Sequence, residues 1–479
     1  MSGFQVLPFD LLPPIFAQLD DRRDLHACSL ASRTFNRAAT PLLYRTLDSR
    51  IISKTLIHHP STTLKEKPHL AQYVKHVTET GAVHRGLTPR YPTITEDTLS
   101  ALSLCTNLYS MTWIDDTAAT GRILLLFLAV LKKLPLRSLT IRTHSDLGEE
   151  VWKELITFTG LEKVSIWCME GPPRVLQGWS SMLGKTLTHL ELGRCAGVPP
   201  TILITVLSQL PLLTDLRLKG VPANAIWTIL SYLPQLKSLD IEYLGGGSSL
   251  NVRRTQSLPV HGQSAHVTKH PSLPTLRNLI VRATTIDQKI WTWIRELTPN
   301  RGLESLKIHA FTLFSYNANR MMSYIESITG SGQATIPRIF ILDLSLVHKD
   351  TLRRLEVVEA GLMTLPDLEC LLSVFPKLEV LGCTVASKDA NSFKQSIRGA
   401  HNLTTIMAQI RWIPDAATES QYRQKPGFNI QDARDLMLRA EGSRLRIVGV
   451  GSVMYVGRWV NPGPVFEVAE NVAEDKWFT

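Results

Sequence analysis

An apolar residue, two others, an apolar residue, one other and a further apolar residue recur along most of this chain. The pattern reads LRSLTI from Leu136, LEKVSI from Leu161, LTHLEL from Leu187, LTDLRL from Leu213, LKSLDI from Leu236, LRNLIV from Leu276 and LESLKI from Leu303. It continues as LRRLEV from Leu352, LEVLGC from Leu378, LTTIMA from Leu403 and LRIVGV from Leu445, with weaker copies LYSMTW at Leu108 and IFILDL at Ile339. Alternation within each copy predicts a short strand with one buried face. The spacing is regular: Leu136 to Leu161 is 25 residues, then 26 to Leu187, 26 to Leu213 and 23 to Leu236. Ahead of many strands, apolar residues three and four apart predict helices, as in TILITVLSQL, AIWTILSYL, DQKIWTWIREL and LECLLSVF. Proline often follows at once, in QLPLLTDL, YLPQLKSL and FPKLEVL, where it ends the helix and turns the chain into the strand.

A helix and a strand every 23–28 residues is the period of a leucine-rich repeat, and over roughly residues 100–450 the chain resembles that family. LTHLELGRCAGV places Cys195 where the consensus has Asn or Cys, but most units lack this residue, so the array is degenerate. The resemblance implies an α/β fold: a curved solenoid with a parallel sheet on the concave face and helices on the convex face. Its leucines build core and carry no chemistry. Three intervals are long. Leu236 to Leu276 is 40 and contains Gly245–Ser272, a polar Gly/Ser-rich stretch without periodicity that predicts a flexible insertion at about 245–273. Leu303 to Ile339 is 36 with TGSGQAT, and Leu403 to Leu445 is 42 with WIPDAATESQYRQKPG. Residues 445–479 alternate as a strand pair followed by VFEVAENVAEDKWF, and are expected to form a β cap over the last repeat.

Composition narrows the function. A hydrophobic content of 44% with 20% charged residues suits a globular chain with ample core. The net charge of +10 comes from scattered Lys and Arg, not the clustered basic track that nucleic acid requires. Six cysteines, Cys28, Cys105, Cys168, Cys195, Cys370 and Cys383, show no CxxC spacing, so reduced thiols in the cytoplasm or nucleus are expected. The most apolar run, Ile123–Leu131, covers about 14 Å as a helix against about 30 Å of hydrocarbon, too short to span a membrane.

No catalytic constellation is visible. GGGSS lacks the GK[ST] of a phosphate loop, GVGSVMYVG sits in a strand pattern, and there is no GxSxG elbow. His58, His59, His261, His266 and His270 have no cysteine or carboxylate partner at ligand spacing. The expectation is a non-enzyme without cofactor or metal. Binding then falls to the sheet. Outward positions would carry Arg142, Trp167, His189, Glu191, Arg217, Asp240, Arg282, Lys307 and Arg354, with Asp215, Lys219, Glu242, His309 and Glu356 among them. Their mixed signs suit recognition of a protein better than of nucleic acid.

The first fifty residues break the repeat pattern. LPFDLLPPIFAQLDD fails as a signal peptide: no basic residue precedes it, and Asp10 and three prolines interrupt it. Three short helices are expected, one ending at Leu19, one around Arg23–Leu30 and one from Arg33 through Tyr44 with Ser32 as its cap. So few residues cannot hold a core without a staple or a partner. Leu7-Pro8, Leu11-Leu12, Ile15-Phe16, Leu19, Asp20-Asp21, Asp24-Leu25, Ser29-Leu30, Ser32-Arg33, Phe35 and Leu42-Leu43-Tyr44 occur in the order of the F-box, which this segment resembles. Ala31 departs from the usual Val, and the Pro13–Pro14 pair should make the first helix restart at Pro13.

With the segment GSRLRIVGVGSVMYVGRW, the arrangement resembles fungal F-box proteins with divergent repeats. That resemblance implies domains at 1–48 (F-box), 49–444 (repeats) and 445–479 (cap). It also implies a non-catalytic substrate receptor of an SCF-type cullin–RING ubiquitin ligase. Leu7, Pro8, Leu11, Leu12, Ile15, Phe16, Leu19, Leu25, Leu30 and Phe35 would divide between module core and contact with a Skp-family adaptor, in a division the sequence leaves open. The repeats would hold a protein substrate. The rival expectation is a repeat-based interaction scaffold whose F-box acts outside a ligase.

Overall fold

The computed structural model describes residues 8–19, 21–49, 59–116, 121–169, 174–244, 273–283, 288–310, 336–413, 427–440, 442–460 and 465–472. The expected insertion Gly245–Ser272, the TGSGQAT loop, residues 414–426 and the last seven residues lie outside them. The chain forms two compact units, Met1–Leu213 and Thr214–Thr479.

The first unit opens with a 3-10 turn, Phe9–Leu11, and three helices: α1 (Leu12–Phe16), α2 (Arg22–Ala31) and α3 (Arg33–Leu43). Strands β1 (Thr46–Asp48), β2 (His76–Thr80), β3 (Ser110–Asp115), β4 (Ser138–Thr143), β5 (Lys163–Cys168) and β6 (His189–Leu192) follow. Neighbours in sequence pair in parallel, with Leu47, Val77, Met111, Leu139, Val164 and Leu190 in one register row. All six are buried, so a single line of apolar side chains runs across the strands. Between strands lie helices such as Gly121–Leu131, which turns Leu124, Phe127, Leu128 and Leu131 inward. The sheet starts earlier than the repeat pattern suggested. Strand β2 reads HVTET, with Glu79 where the motif wants an apolar residue, and so escapes a pattern search.

The second unit continues as β7 (Asp215–Leu218), β8 (Ser238–Tyr243), β9 (Asn278–Ala283), β10 (Ser305–Ala310), β11 (Arg354–Met363), β12 (Val380–Ser387), β13 (Thr405–Trp412) and β14 (Ile447–Val450). These pair in parallel, in order. Then β15 (Val453–Val460) and β16 (Val465–Val472) add antiparallel strands. The expected weak repeat at Ile339 is corrected: Arg338–His348 is a helix following Pro337, burying Phe340, Ile341, Leu344 and His348 at helical spacing. Consequently β10 pairs directly with β11, although their repeat leucines, Leu303 and Leu352, lie 49 residues apart.

Three N-terminal helices followed by parallel strands with intervening helices make a mixed α/β fold of the leucine-rich-repeat type. No helix among the described residues is long and apolar enough to cross a membrane.

Candidate binding surfaces

Prolines set the geometry of the N-terminal module. Pro13 and Pro14 occupy the first turn of α1, where no amide donor is missed, and the helix begins at Leu12, one residue before the expected restart. The four-residue spacing then sorts the side chains onto two faces. Leu12 and Phe16 turn inward, 2% and 5% exposed, against Ala38 and Ala39 of α3. Phe9, Leu19, Leu25, Cys28, Phe35 and Leu42 pack around them, with the Phe16 and Phe35 rings edge to face at 5.2 Å. On the other face Leu11 and Ile15 are each 48% exposed, and Leu30 at the end of α2 is 73% exposed. Pro8 is exposed too, whereas Leu7 lies outside the described residues. Caps hold α2 and α3 in place: Asp21 Oδ1 accepts from Arg23 N at 2.8 Å, and Ser32 Oγ accepts from Phe35 N at 3.2 Å. Asn36 Nδ2 donates to Ser29 O at 2.8 Å, tying α3 to α2.

On the open face of the first unit, Arg142 is exposed on β4, and half-buried Trp167, His189 and Glu191 follow on β5 and β6. Arg142 is in register with Trp167. Ser165 Oγ donates to Glu191 Oε2 at 2.8 Å. A Cβ at Gly193 would lie 2.5 Å from the Trp167 ring, so only glycine lets the indole lie across that strand end.

In the second unit the outward charges form two clusters. Asp240 receives Arg282 through both oxygens at 2.8 and 3.0 Å, and Arg217 Nε lies 2.9 Å from its Oδ2. Glu356 receives Lys307 Nζ at 3.2 Å and the guanidinium of Arg354. Four cations therefore share two carboxylates. Next to Glu356 in register stands Gly382, where a Cβ would lie 3.1 Å from Glu356 Cγ. That missing side chain opens a shallow pocket of about 350 Å³ lined by Arg282, Lys307, His309, Glu356, Thr384 and Gln409 among others. Burial, reinforced by the Arg282 charge, pushes His309 below the usual imidazole range, so it is a neutral hydrogen-bonding group at physiological pH.

Residues 4–50 match the F-box-like family model. The N-terminal module is an F-box-like one. No curated protein matches the chain in sequence. Among solved structures, a chain of the yeast Rad7–Elc1 complex is similar at 15% identity, covering 88% of this chain and 90% of its own, with a TM-score of 0.43. A chain of the Drosophila Toll–Spätzle complex is similar at 11% identity over 85% of this chain and 50% of its own, TM-score 0.34. The leucine-rich repeat-containing protein LegL7 of Legionella pneumophila is similar at 12% identity over 76% and 91%, TM-score 0.31.

Of the ten residues carried over from the F-box, the structure thus places two in the core, three (Leu19, Leu25, Phe35) half-buried against it and four (Pro8, Leu11, Ile15, Leu30) in the open. Sequence reasoning missed Gly382, Thr384 and Gln409, since only strand register brings them beside Lys307 and Glu356. It also left His59 without a partner. The fold supplies Glu79, which His59 shares with His84.

Proposed function

We propose that the chain is a non-catalytic substrate receptor of an SCF-type cullin–RING ubiquitin ligase. The F-box-like module docks a Skp-family adaptor, and the open faces of the repeat strands hold the protein to be ubiquitinated. On this reading residues 1–48 are the docking module, 49–444 the recognition array and 445–479 its cap, working in the cytoplasm or nucleus. The observation that carries it is the exposure of Leu11, Ile15 and Leu30 on a module whose core is complete without them. Large apolar side chains left in water beside a filled core mark a surface meant for a partner. On the sheet, paired arginines and the pocket at Gly382 offer charge complementarity to a protein segment. The test is co-purification of the full chain with the adaptor. Leu11→Asp with Ile15→Asp should abolish the complex while the thermal unfolding of the chain stays unchanged. Undiminished co-purification of this double variant would sink the proposal.

A further inference from the structure

Most inward positions of the repeat strands are apolar, and in the first unit two buried carboxylates break the rule: Asp115 on β3, which Arg85 pairs, and Glu79 on β2. Glu79 on β2 is in register with Trp113 on β3, which is in register with Ile141 on β4. It is 3% exposed. A carboxylate set where the array otherwise puts Trp and Ile costs several kcal/mol unless something compensates its charge.

Two imidazoles converge on it. His59, capping the helix Pro60–Glu66, and His84, in the helix Gly81–Leu87, are 2% and 0% exposed. Each places Nε2 3.3 Å from the same Glu79 Oε2. Each ring also has its Nδ1 beside a hydroxyl: Ser61 Oγ at 2.8 Å from His59, with Thr98 Oγ1 at 3.4 Å, and Thr95 Oγ1 at 3.3 Å from His84. Behind His84 the Trp113 ring stacks at 6.2 Å and Phe127 meets it edge-on at 5.2 Å. Burial raises the Glu79 carboxyl, but hydrogen bonds from the two imidazoles outweigh it and hold the group down at about 2, so it is ionised.

We propose that His59, Glu79 and His84 form a zinc site in the first repeats of the array. All three donor atoms lie within 4.8 Å of one another. With bonds of about 2.0–2.1 Å, two ligands of a tetrahedral Zn²⁺ stand about 3.3–3.4 Å apart, which matches the nitrogen-to-oxygen separations here. The hydroxyls at Nδ1 are the outer partners that fix the tautomer of a metal-bound histidine, leaving Nε2 free to ligate. Two imidazole nitrogens and one carboxylate oxygen converging in an apolar setting are a donor set that suits a cation. A proton is the competitor. Without metal, His59 Nδ1 can accept from Ser61 N at 3.3 Å while its Nε2–H donates to Glu79. Metal binding therefore shifts the His59 proton to Nδ1, where it faces Ser61 Oγ. The fourth position falls to water. The thiols of Cys105, Cys195 and Cys383, pushed up to about 12 by burial, are poor competitors for the ion.

The test uses the full chain with any affinity tag removed, stripped by chelator and titrated with Zn²⁺, with bound metal counted by mass spectrometry. About one zinc per chain is expected, with a rise in melting temperature that chelator reverses. Co²⁺ in its place should give tetrahedral d–d bands. Glu79→Gln and His84→Gln should each remove the bound metal, and Thr95→Val, which keeps all three ligands, should weaken it about tenfold. A wild-type chain that takes up no zinc overturns the assignment. So does a folded Glu79→Gln protein with undiminished binding, or a sulfur-to-cobalt charge-transfer band, which would place the ion at a cysteine.

Discussion

At the scale of single residues, burial turns ordinary chemistry into measurable dependence on conditions. His348 is 1% exposed, and its Nε2 donates to Thr298 O at 3.0 Å. Burial lowers it from the ordinary 6.5, against the smaller opposing effect of that hydrogen bond. The unfolded chain therefore takes up a proton near pH 6.5 while the folded one stays neutral. Stability from this group is complete above that pH and declines as pH falls through it, by up to about 1.4 kcal/mol per pH unit. Urea titrations between pH 7.5 and 5.5 should show the slope, and His348→Gln should reduce it to the part that His76 and His309, lowered in the same direction, contribute. A second residue-scale prediction separates neighbours in sequence. Phe16→Ala empties the module core and should cost about 3–5 kcal/mol. Ile15→Ala, one position away but outward, should leave chemical denaturation unchanged and weaken only adaptor binding.

At the scale of elements, helices here depend on their caps because several are short. Ser32 is the hinge between α2 and α3, and Ser32→Ala should lower stability by about 1 kcal/mol in a thermal melt. This is also the scale at which the sequence is most and least readable. Leucine spacing locates β4 through β10 because the first two inward positions of each strand carry Leu, Ile or Val, and the Pro13–Pro14 pair locates the start of α1 to within one residue. The same spacing misleads at IFILDL, where alternation over six residues fits a strand as well as a buried helix face, and the preceding Pro337 decides for the helix. It is silent at β2, whose inward Glu79 is polar. The candidate surfaces divide likewise. Outwardness follows from alternation and is legible. Which cations share a carboxylate follows from register between strands 42 and 49 residues apart, as for Arg282 with Asp240 and Lys307 with Glu356, and is not.

At the scale of the molecule, the proposed function requires two independent surfaces. Arg282→Glu with Lys307→Glu should abolish capture of substrate in pull-downs while adaptor binding stays at the wild-type level. Leu11→Asp with Ile15→Asp should do the reverse. A variant that loses both would mean that the surfaces are not separable. One feature of the first unit bears on how such a receptor could be rebuilt. Only Tyr44 and Arg45 stand between the end of α3 and the start of β1, and β1 is itself hydrogen-bonded to β2. The docking helices therefore run into the edge strand of the sheet with almost no slack. Replacing this module with a foreign one by cutting at residue 48 would remove β1 with the helices and leave β2 with a bare edge, inviting strand exchange and aggregation. A chimera intended to stay monomeric should make its join between α3 and β1, keeping Thr46–Asp48 with the repeats.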